Sequence, residues 1–150
     1  MIQFLTGGRV LFLAAVSWAA AQVLKFLINL LVRGITDVRL LLSSGGMPSS
    51  HSALVCACAV SVGRTDGFSS TTFAVAAVLA VVVMYDACNV RRAAGEQARV
   101  LNYIVEHWEE MSPAAMGEEL KELLGHTPLQ VLMGALLGLA IGWFGTGLLG

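Results

Sequence analysis

Apolar segments of helical length alternate with polar stretches along this sequence. The four apolar segments are Val10–Val32, Ala53–Val62, Thr71–Met84 and Pro128 to about Leu148. About 20 apolar residues cross the hydrocarbon core of a bilayer, so the pattern predicts about four transmembrane helices. The second segment is short unless Pro48–Ser52 forms its first turn, and the third continues as a helix through Tyr85–Arg92. Gly63–Ser70 is predicted as a polar turn between them.

The longest polar stretch, Arg91–His126, holds seven of the ten acidic residues. Apolar side chains recur in it at helical spacing, at Leu101, Val105, Trp108 and Met111. This spacing is typical of an amphipathic helix on a membrane surface. Ser112 followed by Pro113 marks the start of a second short helix. The stretch therefore predicts a helical hairpin outside the bilayer, and a purely solvated hairpin without chemistry is the simpler interpretation.

Composition agrees with a membrane protein. The chain is 57% hydrophobic and 13% charged, with a mean hydropathy of +0.77, whereas average soluble domains are about 25% charged. A soluble fold of 150 residues does not bury that much apolar surface in one core. Disordered tails, nucleic-acid binders and secreted disulfide scaffolds are excluded by the same values. We expect one all-α, membrane-embedded domain over residues 1–150, with Cys56, Cys58 and Cys88 as plain buried thiols.

Basic residues predict the orientation in the cell membrane. With four spans, both chain ends lie on one face of the membrane. The other face carries the two long loops, Arg33–Ser50 and Asn89–Thr127. The loop face carries six basic residues, Arg33, Arg39, Arg91, Arg92, Arg99 and Lys121. The opposite face carries two, Arg9 and Arg64. The positive-inside rule then places the loop face in the cytoplasm.

Polar residues inside the first apolar segment share one helical face. Gln22, Lys25, Asn29 and Arg33 stand at positions i, i+3, i+7 and i+11. An intramembrane lysine is energetically costly and normally faces a polar cavity or a partner. The simpler alternative is that Lys25 snorkels to the interface, but eight further helical residues follow it.

Two motifs combine a histidine with the start of a spanning helix. In the first, Gly45 and Gly46 allow close backbone approach to a ligand, and hydroxyls with His51 follow where the second helix begins. In the second, His126 precedes a capping box formed by Thr127 and Gln130 around a proline. The N-terminus of a helix favours phosphate through its N–H groups and dipole. Both histidines are predicted at the same face of the membrane.

A third motif lies at the end of the third apolar segment. Tyr85 and Asp86 are followed by Arg91 and Arg92, and arginine presents a rigid fork that suits phosphate oxygens. Positive-inside anchoring explains the arginines equally well. It does not explain Asp86, which needs a partner if it is buried.

These motifs identify a family resemblance. GGMPSSHSA, YDACNVRRAAGEQARVLN and ELLGHTPLQV occur in this order and resemble the divergent PAP2 family, from about Gln22 to the last helix. The wider superfamily contains lipid phosphatases and phosphotransferases that work through a phosphohistidine without a required metal. The resemblance therefore implies a phosphorylated lipid as substrate and no cofactor.

The resemblance also implies roles for individual residues. Pro48-Ser49-Ser50-His51 is similar to the superfamily's Pro-Ser-Gly-His, with Ser50 in the glycine position. His51 corresponds to the general acid, Ser49 to a holder of phosphate oxygens and His126 to the nucleophile. The phosphate-binding cations of the superfamily correspond to Lys25 and to Arg91 or Arg92.

The sequence departs from the superfamily at three further places. The lysine motif has seven residues before Arg33 and no proline, and the arginine pair lies far upstream of His126. Gln130 stands where an aspartate normally orients the nucleophile, and Asp86 or a glutamate is the expected replacement for that charge.

Other functions stay open from the sequence. Non-enzymatic binding or transport of a phosphorylated lipid or anion needs Lys25 and the arginines but not two aligned histidines. A structural subunit would use the stripe Gly134, Gly138 and Gly142, which packs this helix either against a neighbour in the chain or against a second copy in a homodimer. Vanadate-dependent halide oxidation is a remote alternative, because a membrane pocket suits lipid substrates better.

Overall fold

The computed structural model describes residues 2–33, 46–89, 93, 95, 97–102 and 126–149. The long helices in this part are α1 (Ile2–Arg33), α2 (Ser50–Asp66), α3 (Thr71–Cys88) and α4 (Pro128–Leu149). Residues 97–102 are also helical, and no strand occurs among the described residues. The rest of the predicted surface hairpin, residues 103–125, lies outside the described residues.

The bounds of α1, α2 and α3 differ from the predicted ones. α1 begins at Ile2 instead of Val10, and α2 runs to Asp66, so the polar turn shortens to residues 67–70. Gly67, with a φ of 95°, ends α2, and the Ser70 hydroxyl caps α3 by accepting the Phe73 N–H at 3.1 Å. Gly63–Asp66 is therefore helical although its composition is that of a turn. α3 ends at Cys88 instead of continuing through Arg92.

α2 is the centre of the bundle. It packs against α1, α3 and α4, whereas α3 has little contact with α4. Its buried side chains are small, among them Ser52, Ala53, Ala57 and Ser61. Large apolar side chains instead cover the outer faces of the surrounding helices, as at Leu11, Val78 and Leu136. Small residues inside and large apolar residues outside are typical of helix packing in a membrane.

Three of the described helices have the length and apolarity of membrane spans: Gly7–Val32, Thr71–Cys88 and Pro128–Leu149. α2 differs from them because its 17 residues include serines, cysteines and, in the last turns, Arg64 and Asp66. A helix enclosed by the other three needs less apolar surface than one that faces lipid. The structure thus has an all-helical fold with three candidate spans around a more polar central helix.

An aromatic cluster lies at one end of the bundle. The Phe68 ring is 5.1 Å from Phe73 and 6.4 Å from Trp143, measured between centroids. The guanidinium carbon of Arg64 lies 4.5 Å from the centre of the Trp143 ring. Aromatic and basic side chains of this kind mark the boundary between hydrocarbon and water.

The opposite end gathers the motifs. Lys25, in the second half of α1, contacts Gly46, which precedes α2. The His126 N–H donates to the carbonyl of Ala87 near the end of α3 at 3.0 Å, and the Ser49 N–H donates to the Gln130 carbonyl at 2.9 Å. The second half of α1 and the end of α3 therefore lie beside the starts of α2 and α4.

The glycine stripe of α4 packs against α2 within the chain. A Cβ on Gly142 would lie 2.8 Å from the carbonyl oxygen of Ala57. At Gly134 and Gly138 it would overlap the carbonyl oxygens of Ser49 and Ala53. The stripe thus has the neighbour in the chain as its partner, which was the first of the two alternatives.

We expect Gly138→Ala to lower the free energy of unfolding by about 1–3 kcal/mol, because the added methyl group must separate α4 from α2. Thermal unfolding of the detergent-solubilised protein measures it. Gly147→Ala is the matched control, since a Cβ there has Arg64 Nη2 as its nearest neighbour at 3.6 Å. Both variants gain the same helix propensity, so equal midpoints would contradict the packing.

Candidate active site

Two histidines face each other across the starts of parallel helices. His51 is in the first turn of α2, and His126 directly precedes α4 and is only 3% exposed. Their ring centroids are 6.4 Å apart, with the ring planes at 58°. The N–H groups and dipoles of two helices converge on this space, which favours an anion there.

Gln130 determines which nitrogen of His126 carries the proton. Its Oε1 accepts the backbone N–H of Thr127 at 3.0 Å and lies 3.3 Å from His126 Nδ1. A backbone N–H only donates, so the amide atom at this position is the oxygen. The Nδ1 that meets the same oxygen must therefore be protonated, which leaves the lone pair of a neutral His126 on Nε2.

The same glutamine forms the predicted capping box. The Thr127 hydroxyl accepts the Gln130 N–H at 3.3 Å, while the Gln130 side chain accepts the Thr127 N–H. Capping and contact with His126 are thus two uses of one side chain. A carboxylate would hold the ring in the same tautomer and add a negative charge, which Gln130 does not supply.

Backbone hydrogen bonds hold the motifs in register. Ser49 is the N-cap of α2, and its N–H donates to the Gln130 carbonyl of α4. The His126 N–H donates to Ala87, so the half-buried Asp86 is the chain neighbour of a residue bonded to His126. These bonds bring the first, second and third motifs to one place.

The serines of the first motif are buried. Ser49 and Ser50 are at most 2% exposed. The Ser49 hydroxyl accepts the Ser52 hydroxyl at 3.0 Å and the Ser52 N–H at 3.4 Å. Ser49 therefore caps the helix, and its contact with phosphate stays a prediction.

Lys25 is buried in the bundle, with 1% of its surface exposed. A Cβ on Gly46 would lie 3.3 Å from both Cγ and Cδ of Lys25. Gly46 also has a φ of 82°, a conformation that glycine adopts easily. The predicted close backbone approach at Gly46 is thus made to the aliphatic stem of Lys25, which enters the bundle at the level of the first motif.

Arg91 and Arg92 lie outside the described residues, as does the side chain of Arg33. Sequence reasoning also missed two groups. The Ser17 hydroxyl, which donates to the Ala53 carbonyl at 3.0 Å, was recognisable as a serine inside an apolar run. The Ala87 carbonyl, which accepts the His126 N–H, is a backbone group, so no residue type in the sequence indicates it.

We expect Gln130→Leu to destabilise α4 by about 0.5–2 kcal/mol through the lost cap and to mix the tautomers of His126. Gln130→Glu keeps the acceptor and should keep Nδ1 protonated. Nitrogen-15 chemical shifts of the histidine rings measure the tautomer, and thermal unfolding measures the cap. Gln97→Leu, at an exposed position, is the control, and an unchanged tautomer in Gln130→Leu would contradict the assignment.

Comparison with known proteins points to one family. Residues 6–141 match the family described as the divergent PAP2 family. The chain is 44% identical over 131 residues to a Bacillus subtilis (strain 168) protein named uncharacterized membrane protein YuiD, a match that covers 81% of this chain and 83% of that protein. No solved structure matches the chain.

Proposed function

Because the chain belongs to the divergent PAP2 family, we propose that this membrane protein is a lipid phosphatase with a histidine nucleophile. Its substrate is a phosphomonoester or pyrophosphate of a lipid. The observation that carries the proposal is the pair His51 and His126, 6.4 Å apart between ring centroids at the starts of two helices. Reacting atoms approach to roughly 3–3.5 Å, so two rings at this spacing can contact opposite sides of one phosphoryl group.

The first chemical step forms a phosphohistidine. Nε2 of His126 attacks phosphorus. This nitrogen carries the lone pair because Nδ1 is protonated and contacts Gln130. The bond between phosphorus and the lipid oxygen breaks. A protonated His51 gives its proton to that oxygen, and the lipid alcohol leaves uncharged. With a pyrophosphate, the bridging oxygen takes the proton and the lipid monophosphate leaves.

The second step returns the enzyme to its first state. Neutral His51 takes a proton from a water molecule, whose oxygen attacks phosphorus. The bond from phosphorus to Nε2 of His126 breaks, and inorganic phosphate leaves. His51 has regained the proton that it lost, so the cycle is balanced.

Charge on the transferred phosphoryl group requires neutralisation. We assign this to Lys25, to Arg91 or Arg92, and to the N–H groups at the start of α2. The burial of Lys25 supports its part, because a charge acts more strongly where water is excluded. Asp86 is the candidate to stabilise the cationic state of His126.

We place the site at the cytoplasmic face of the cell membrane, on the excess of basic residues in the loops that flank it. α2 then serves as a fourth crossing, shielded from lipid by α1, α3 and α4. Substrates made in the cytoplasmic leaflet, such as phosphatidylglycerophosphate or phosphatidate, fit this orientation. A polyprenyl pyrophosphate recycled on the outer face would need the inverted one.

Binding without turnover is the second candidate function. A buried Lys25 beside the start of α2 is sufficient to hold a phosphorylated lipid or an anion. Binding alone does not require two histidines that face each other. The pairing of His51 with His126 therefore favours the phosphatase function.

Phosphate release from a lipid panel tests the proposal. The detergent-purified protein is incubated with phosphatidate, phosphatidylglycerophosphate and a polyprenyl pyrophosphate, with and without EDTA and vanadate. We expect release from at least one lipid that survives EDTA, because the nucleophile is a side chain, and that falls at least tenfold with vanadate, a phosphate mimic. No release from folded protein that still binds these lipids would overturn the enzyme in favour of binding.

A further inference from the structure

Gln22 has a buried oxygen without a hydrogen-bond donor. The side chain is 7% exposed, and no donor in the described part of the chain reaches its Oε1. A buried carbonyl oxygen without a donor costs free energy. Such an atom is typical of a position where a ligand completes the hydrogen bonding.

Contacts between α1 and α2 place Gln22 at the level of the site. The two helices are antiparallel, and Ser17 bonds to Ala53 while Lys25 lies against Gly46. Gln22 stands between Ser17 and Lys25 on α1. The residue at the same level in the segment that packs against it is Ser49, the N-cap of α2. Lys25 is further towards the end of α1 that carries the motifs, so Gln22 lies about 4.5 Å deeper along the helix, at 1.5 Å per residue.

The depth and chemistry of Gln22 indicate what it would contact. Its amide oxygen only accepts hydrogen bonds, so a fully ionised phosphate offers it no donor. The phosphoryl group belongs beside Lys25 and the histidines. Gln22 is level with Ser49, two residues before His51, so a donor that reaches its Oε1 belongs to the part of the lipid alcohol next to the phosphoryl group.

We propose that Gln22 selects lipids that carry a free hydroxyl on the carbon next to the phosphorylated carbon. That hydroxyl donates to Gln22 Oε1 while the phosphoryl group lies between His51 and His126. The inference rests on the proposed phosphatase function and adds the substrate class.

A matched lipid pair tests the selection. The probes are 1-acyl-2-hydroxyglycerol 3-phosphate and its 2-deoxy analogue, which differ only in that hydroxyl. We expect the wild-type protein to hydrolyse the hydroxylated lipid with a kcat/KM about tenfold higher, the effect of one neutral hydrogen bond. Gln22→Met, of similar length and without an acceptor, should reduce this ratio to about one and leave the deoxy lipid unaffected.

Controls separate recognition from folding. Ser61→Ala removes the hydroxyl of a second buried group without a partner in the described residues, far along α2 from the site, and should keep the tenfold preference. Gln22→Met should unfold at the temperature of the wild type or above, because it removes no hydrogen bond. Equal kcat/KM for both lipids in the wild type would overturn the inference. So would an equal loss for both lipids in Gln22→Met, which is the result expected if Gln22 orients water.

A failure of the proposed phosphatase function gives a different result from a failure of the hydroxyl selection. If the deoxy lipid or phosphatidate is hydrolysed without discrimination, the proposed function stands and the hydroxyl selection falls. If no lipid is hydrolysed, the proposed function falls, and equilibrium binding of the same two lipids to His126→Ala decides the selection. Tenfold tighter binding of the hydroxylated lipid supports it, and equal affinities overturn it.

Discussion

Replacing His126 by alanine should abolish phosphate release, with a loss of at least about 10³-fold in kcat, because the substitution removes the nucleophile of the proposed mechanism. His126 is buried, and its Nδ1 is held by Gln130, so Nε2 is the nitrogen available for attack. Release of inorganic phosphate from the best lipid of the panel measures the effect. Lipid affinity should change little, since the cations of the site remain.

The matched control is His107→Ala. The sequence has three histidines, and His107 belongs to none of the three motifs, so this variant should keep wild-type release. A second measurement identifies the intermediate: quenching the wild type during turnover of a ³²P-labelled lipid should give protein-bound label that is stable in base and lost in acid. Full release by His126→Ala, or label at another side chain, would exclude His126 as the nucleophile.

Replacing His51 by alanine should lower kcat by about 10²–10⁴-fold for a lipid substrate, the usual contribution of general acid catalysis. The alkoxide of a lipid alcohol is a poor leaving group and needs a proton, which His51 supplies in the proposed mechanism. An aryl phosphate leaves as a stabilised phenolate and needs that proton much less. We therefore expect the loss with a soluble aryl phosphate to be at least about tenfold smaller than with the lipid.

The comparison between leaving groups distinguishes catalysis from structure. His51 is in the first turn of α2, and its ring lies 6.4 Å from that of His126, so alanine could also disturb the neighbouring ring. A disturbed His126 would reduce turnover of both substrates by the same factor. Equal losses would thus assign His51 a positioning role, and His126→Ala provides the reference in which both substrates should fail.

The membrane class and several local features of this protein follow from sequence alone. The repeated apolar segments predict an all-helical membrane protein, and three of the described helices have the required length and apolarity. The capping box of Thr127 and Gln130 is present as its spacing predicts. The shared face of Gln22 and Lys25 is also observed, since both are buried. These features depend on residues a few positions apart, whose relation the geometry of a single helix determines.

Boundaries were less predictable. The turn composition of Gly63–Asp66 did not end α2: Gly63 is buried, the Arg64 guanidinium lies over the Trp143 ring of α4, and Gly67 provides the stop. The low apolarity of α2 was likewise explained only by its central position. α2 is surrounded by protein and not by lipid, which permits serines and cysteines in it. The periodicity of its own sequence does not indicate whether a helix is surrounded by protein or by lipid.

Sequence alone determined that this chain is helical, embedded in a membrane and similar over three motifs to the divergent PAP2 family. Tertiary structure decided that His51 and His126 meet, that Gln130 holds Nδ1 of His126, and that the glycines of α4 admit the backbone of α2. It also left Gln22 with an oxygen that needs a donor. The physical reason is that such contacts join residues remote in the chain, so they depend on how whole helices pack and not on the spacing within any one of them.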